Sequence, residues 1–215
     1  MSYSLDFLNM IKNSSENSSK VPTTKRAKKP DKTIAVIDTE TNWNDEVMSI
    51  GIALADPAGF EHIDFKYYVI DPEYRVGGMF SGVLRTSCSV PMEVVSRKEA
   101  ISGISDYLKG NGVTGIYAYN ARFDRSHLME LSGFEWYDIM RIAAYKQFNH
   151  SIPDDAALCK SGRLKSGYSV ENILKMLRKD AAYSEVHNAI EDAIDELTIM
   201  KLLGQGLDVY TCAKL

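Results

Sequence analysis

The feature that most constrains this chain is an apolar run that ends in acids: Ile34, Ala35, Val36 and Ile37 lead directly into Asp38-Thr39-Glu40. Four apolar residues, two of them Ile and one Val, are too few for a helix and read as a buried central strand. Side chains at i and i+2 leave the same face of a strand, about 7 Å apart, so Asp38 and Glu40 enter one site. Two carboxylates there repel each other unless a cation lies between them, and a hard divalent ion is the economical solution. A solvated strand end is the alternative that the triplet alone leaves open.

Two further strands follow, Val47–Ala55 and Phe60–Ile70, separated by the turn residues Asp56-Pro57-Ala58-Gly59, and the three segments read as an antiparallel meander. Ser96 and Glu99 fit a capping box, and Ile101, Ile104 and Leu108 carry a helix that Gly110 stops. Val113–Tyr119 is a further strand. Helical patterns occupy Arg122–Leu131, Met140–Phe148, Val170–Leu177 and Asn188–Leu203. Strands in series, then helices alternating with another strand, predict an α/β domain with a mixed sheet flanked by helices.

The last of these helices carries a second acidic argument. At 100° per residue from Ile190, the side chains of Ile190, Ala193, Ile194 and Leu197 share one face, whereas Glu191 and Asp195 read as a solvated side. Asp192 falls instead on the flank of Ile199 and Leu203 and is expected to be partly enclosed. An enclosed aspartate needs a partner, and a metal would serve, with a surface acid as the plainer reading. Asp124, in the first turn after Asn120-Ala121-Arg122-Phe123, either complements a helix dipole or adds a carboxylate at the end of a neighbouring strand.

Charge is unevenly distributed. Residues 1–32 hold seven Lys/Arg against three acids, a net +4, and residues 33–215 carry −8. Phosphate neutralisation drives diffuse nucleic-acid binding, so an acidic domain needs metal ions or a local basic strip to handle a polyanion. Arg122, Arg125 and the segment Lys160–Tyr168 are candidates for that strip. Residues 13–32 lack any apolar period and are read as a flexible linker, with Leu5, Phe7, Leu8, Met10 and Ile11 as an apolar cluster beyond it. Residues 3–11 either pack on the domain or form a docking peptide for another protein. No apolar run approaches the ~18 residues of a spanning helix, and the first twelve residues lack a signal-peptide pattern, so the expectation is a cytoplasmic protein without a membrane partner. Three cysteines, Cys88, Cys159 and Cys212, are read as reduced thiols.

Three segments taken in order are more specific than any one of them. Asp38-Thr39-Glu40-Thr41, then Tyr119-Asn120-Ala121-Arg122-Phe123-Asp124, then His187-Asn188-Ala189-Ile190-Glu191-Asp192-Ala193 resemble the three motifs of the DEDDh 3′-to-5′ exonucleases. That family includes the proofreading epsilon subunit of bacterial DNA polymerase III, ribonuclease T and oligoribonuclease. The resemblance implies a ribonuclease-H-like fold in which Asp38, Glu40, Asp124 and Asp192 hold two Mg²⁺ or Mn²⁺ ions. It implies His187 as general base, and nucleoside monophosphates released from single-stranded DNA or RNA 3′ ends. Thr41, Trp43, Asn120 and Arg122, beside the acids, are the expected substrate contacts. The setting expected is DNA proofreading or repair, with residues 3–11 engaging a replication or repair protein. RNA 3′-end trimming is the first alternative, and a catalytically silent module that binds nucleic-acid ends or a polymerase the second. Two departures bear on substrate preference: members usually continue the first motif with Thr-Gly, where this chain has Asn42-Trp43, and often place His where it has Tyr119. The Trp43 ring is either core or a stacking face for a base. His62, His127 and His150 are read as ordinary packing or surface residues, with a supporting role held open for His127.

Overall fold

A computed structural model describes residues 32–85 and 90–215. The expected linker, the docking peptide and Cys88 lie outside the described residues, apart from Lys32. Six strands form one mixed sheet in the order β4-β3-β2-β1-β5-β6. The expected meander is present: β1 (Thr33–Thr41), β2 (Val47–Ala55) and β3 (His62–Ile70) pair antiparallel. β4 (Met92–Val95) joins β3 in parallel, and β5 (Val113–Ala118) and β6 (Trp136–Asp138) extend the sheet from β1, also in parallel. The sequence pattern does not announce β4 and β6, because four and three residues are too few to show alternation.

β1 divides the interior by parity. Ala35 and Ile37 pack with Ile50, Ile52 and helix α1 (Arg97–Gly110), which contributes Ala100, Ile104 and Leu108. Ile34 and Val36 pack on the opposite face with Ala53, Ala55 and helix α5 (Ala189–Leu203), through Ala193 and Leu197. Continuing that parity, Asp38 and Glu40 lie on the α5 face. Helices α2 (Arg122–His127), α3 (Met140–Ala143) and α4 (Val170–Arg178) complete the set. Among the described residues no helix is long and apolar enough to cross a membrane. Cys159 and Cys212 are free thiols, as expected.

Where boundaries differ from the sequence reading, hydrogen bonds made outside the regular element are the cause. The helix expected over Arg122–Leu131 breaks after His127, whose carbonyl accepts from the Arg97 guanidinium at 2.6 Å, and Met129–Leu131 makes a separate 3₁₀ turn. The helix expected over Met140–Phe148 ends at Ala143. Asn149 Nδ2 donates to the Ala143 carbonyl at 2.8 Å, and the Leu164 amide donates to the Ala144 carbonyl at 2.9 Å. β3 starts at His62 rather than Phe60 because Asp56 accepts from the amides of Ala58, Gly59 and Glu61, which prolongs the turn. The capping box is present, but α1 runs through Gly110 and the chain reverses at Gly112, where φ is +66°.

One glycine sets the distance between sheet and helix. Gly51 pairs with Asp38 across β1 and β2, and a Cβ there would lie 2.1 Å from the Ala189 carbonyl oxygen and 2.4 Å from Ile190 Cα. The backbone of the first α5 turn therefore rests directly on the β2 backbone. Backbone cannot yield as a side chain does, so Gly51→Ala should destabilise the domain by about 3 kcal/mol, near the top of the overpacking range. Melting temperature should fall by roughly 6–12 °C. Gly110→Ala, with nothing within 4 Å, is the comparison and should leave it unchanged or raise it.

Candidate active site

Three elements deliver four acids to one end of the sheet. Asp38 and Glu40 come from the last turn of pleat in β1, opposite Gly51 and Ser49. Asp192 comes from the first turn of α5, lowered onto the sheet by Gly51, and is 4% exposed. Asp124 comes from α2, which β5 enters through Asn120 in a left-handed conformation (φ 59°). Thr39, between the two β1 acids, projects to the other face and binds Asp124: its amide and hydroxyl both donate to Asp124 Oδ1, at 3.0 and 2.8 Å. Thus each residue of the Asp-Thr-Glu triplet faces this site or fastens one of its members.

His187 precedes α5 in a left-handed conformation (φ 58°), and its ring stacks on Phe80 at 4.2 Å between centroids. Asn188 caps the helix by accepting from the Ile190 amide, and its Nδ2 donates to the Tyr67 hydroxyl and the Val83 carbonyl. Those bonds tie the helix start to β3 and to the segment that carries Phe80. Ligand atoms of Glu40, His187 and Asp192 lie within 4.8 Å of one another.

The pattern of acids on α5 differs in two ways from the helical-wheel reading. Glu196, one turn beyond Asp192 and only 1% exposed, also faces the cluster. Its spacing of four from Asp192 is the signal available in the sequence, where the helical wheel singles out Asp192 alone as enclosed. Glu185, two residues before His187, adds a further charge against Glu40 and Asp192. Glu191 and Asp195 are half-buried rather than solvated. Asp195 is held by the Tyr183 hydroxyl and by Arg178 at 3.2 Å.

Burial and mutual repulsion together push these carboxyls upward. Desolvation is the largest cause throughout: it raises Glu40 to about 8, with Glu185 and Asp124 adding to it, and Asp192 to about 9, with Glu185 and Glu40 adding. Asp38 is held well above the carboxylate range by burial and then by Asp124, Glu196, Asp192 and Glu40. Asp124 reaches about 7 because burial outweighs the Thr39 hydrogen bonds. Among the described residues no Lys or Arg forms an ion pair with Asp38, Glu40, Asp124, Asp192 or Glu196. Asp192 Oδ1 and Glu196 Oε2 are buried without a hydrogen-bond partner. Unpartnered carboxylate oxygens beside an imidazole are a donor set that fits a hard divalent cation.

The expected substrate contacts are distributed around this cluster. Thr41 is half-buried at the end of β1, and its carbonyl lies so close to Gly78 that a Cβ there would approach within 2.6 Å. Trp43 is 68% exposed, so its ring is no part of the core, and its amide donates to the Gly77 carbonyl at 2.9 Å. Asn120 and Arg122 are exposed beyond β5. His127 bonds Asp45 at 3.1 Å and the Phe123 carbonyl at 2.9 Å, and His62 stacks on Phe65.

Fold and site together define a ribonuclease-H-like α/β protein with an acidic cluster at the sheet edge. No family sequence model and no curated protein sequence matches the chain. Among solved structures it is similar to the nuclease domain of 3′hExo, a DEDDh family member, bound to rAMP: 15% identity, TM-score 0.55, covering 79% of this chain and 90% of that one. It is also similar to E. coli Exonuclease I in complex with a dT13 oligonucleotide, at 14% identity and TM-score 0.57, covering 84% of this chain and 43% of that one. Exonuclease I from Methylocaldum szegediense matches at 16% identity and TM-score 0.53, over 80% of this chain and 40% of that one. At these identities the likeness establishes the fold, which is the one expected from the three motifs.

The raised carboxyls make a prediction about the protein without metal. Each holds its proton more tightly when folded than when unfolded, so the stability it lends is complete below its ordinary value near 4 and is lost as pH rises through its folded value. In EDTA the melting temperature should therefore fall steadily between about pH 5 and about pH 9, the window set by Asp124, Glu40 and Asp192. Added Mn²⁺ should raise it and flatten the dependence, because the cation replaces the protons. A melting temperature indifferent to pH in EDTA would contradict the electrostatics described.

Proposed function

We propose that this protein is a metal-dependent 3′-to-5′ exonuclease that releases nucleoside monophosphates from single-stranded nucleic-acid ends, with DNA in proofreading or repair as the favoured substrate. The observation that carries the reading is the convergence of Asp38, Glu40, Asp124, Asp192 and His187 at one sheet edge, with carboxylate oxygens that only a proton or a cation can satisfy. The three ordered motifs and the shared fold support it.

Asp38, Glu40, Asp124 and Asp192 would hold two Mg²⁺ or Mn²⁺ ions. Bound there, such ions supply Lewis-acid stabilisation of the attacking and leaving oxygens at a phosphodiester. The rest is the work of the chain. His187 receives the proton of the attacking water, a role suited to an imidazole. Phe80 fixes the plane of that imidazole by stacking, and Asn188 fixes the backbone from which it projects. Thr39 keeps Asp124 oriented through two hydrogen bonds, so its carboxylate does not have to be ordered during the reaction. The exposed ring of Trp43 offers a stacking face to the terminal base, worth about 1–3 kcal/mol. A second reading, RNA 3′-end trimming, is favoured by the likeness to 3′hExo, which was solved with rAMP.

Cleavage of 3′- and 5′-labelled DNA and RNA oligonucleotides with and without EDTA tests both. Asp38→Asn and Asp192→Asn should nearly abolish Mg²⁺-dependent cleavage while leaving the protein folded, and His187→Ala should reduce the rate by roughly 10²–10⁴. Full activity in EDTA, or in either Asp variant, would refute the assignment. Trp43→Ala should raise KM for short single strands roughly 5- to 150-fold with Mn²⁺ affinity unchanged. Equal kinetics on every strand length would remove Trp43 from the substrate site.

A further inference from the structure

A site built from acids cannot by itself attract a polyanion, and residues 33–215 carry −8. Compensating charge lies at the ends of the next two strands. A cavity of about 290 Å³ is lined by Arg122, Arg141 and Arg163 together with Asn120, Asp138 and Tyr145. β1, β5 and β6 run parallel, so their C-terminal ends share one edge: the acids close β1, Asn120 lies just beyond β5, and Asp138 ends β6. With neighbouring strands about 4.8 Å apart, the cavity spans roughly 5–10 Å from the acids of β1 along that edge.

The cavity is held in shape by bonds from both of its walls. Asp138 Oδ1 accepts from the amides of Asn120 (3.1 Å) and Met140 (3.0 Å), and its Oδ2 lies 3.7 Å from Arg141 Nε. Arg163 belongs to a loop pinned by pairing with Tyr145, and its guanidinium packs over the Tyr168 ring at 5.2 Å. The Tyr119 hydroxyl donates to the Tyr168 carbonyl, which fastens this loop to the strand that leads into Asp124. Against one carboxylate stand three guanidinium groups. Arg122, among the described residues, has no ion pair or hydrogen bond of its own.

We propose that Arg122, Arg141 and Arg163 form a phosphate subsite that holds a backbone phosphate of the substrate strand, upstream of the bond to be cut. The assignment rests on the exonuclease reading for its position in the strand. Direction follows from the sheet order. Trp43, Gly77 and Phe80 lie on the β2–β3 side of the acids and take the terminal nucleotide, so the remainder of the strand leaves on the β5–β6 side, over the arginines. Planar guanidinium forks match phosphate oxygens in pairs, which suits this task better than diffuse lysine charge.

Binding of fluorescein-labelled 12-mers of dT and rU to the full chain, measured in EDTA so that no turnover occurs, tests the assignment. Each of Arg122→Gln and Arg163→Gln should weaken Kd several-fold at low salt and reduce the slope of log Kd against log salt by about 0.7, the share of one phosphate contact on a single strand. Lys109→Gln, which removes the same charge from α1, should leave the slope unaltered. Arg163→Lys should retain the slope and lose part of the affinity. Unaltered slopes in the arginine variants, equal losses in Lys109→Gln, or no binding of either strand would overturn the subsite. So would a loss of dTMP binding as large as that of the 12-mers, because the cavity would then hold a mononucleotide. The two readings fail separately: arginine-dependent slopes in a protein that cleaves nothing with Mg²⁺ or Mn²⁺ refute the nuclease and leave strand binding, whereas cleavage with unaltered slopes does the reverse.

Discussion

The contact between Gly51 and the Ala189–Ile190 backbone is the constraint on which the rest depends. It allows a helix to touch a sheet with no side chain between them, at the point where β2 faces Asp38. An ordinary side chain at Gly51 would lift the first turn of α5, and with it Asp192, away from β1. Asn188 reinforces the approach by capping the helix while bonding Tyr67 and Val83. The acids therefore meet because two backbones meet, and the core residues Ala53, Ala55 and Ala193 continue the same close packing along the helix.

That closeness has an electrostatic consequence. Asp38, Glu40, Asp124, Asp192 and Glu196 are forced together with no basic residue paired to them among the described residues, and burial raises all five carboxyls. Such a cluster is destabilising in its ionised form and is tolerated because a cation or protons can occupy it. Local strain of this kind is characteristic of functional sites, where charge is arranged for chemistry rather than for stability. Thr39 shows how the fold limits the damage, giving Asp124 two hydrogen bonds without neutralising it.

Along the sheet edge the chain separates tasks that conflict if superimposed. Acids with the chemistry to hold a cation occupy the end of β1, exposed Trp43 and stacked Phe80 lie to one side, and three arginines lie to the other. Mixing the arginines among the acids would create ion pairs and remove the cation site. Placing them at the ends of β5 and β6, beside rather than among the acids, leaves both fields intact at close range.

The sequence by itself determined the central strand, the meander, the mixed sheet with flanking helices, and the grouping of Asp38, Glu40, Asp124, Asp192 and His187. The strand, the meander and the sheet follow from local quantities: alternation, helical spacing, caps and turn residues. The grouping of the five site residues follows from the resemblance of three ordered motifs to a known family. The sequence did not determine β4 and β6, which are too short to show alternation, or the early ends of α2 and α3 and the place of Glu196, which depend on partners outside each helix. Arg97 ends α2, Asn149 and Leu164 end α3, and Glu196 becomes an interior acid only once α5 lies on Gly51. Arg163 lies in the locally basic segment Lys160–Tyr168 that the sequence offers as a candidate strip, but Arg141 carries no such signal, and only the fold brings both beside Arg122. Periodicity tells which way a side chain leaves its own element, whereas the neighbour it meets is decided by packing between elements.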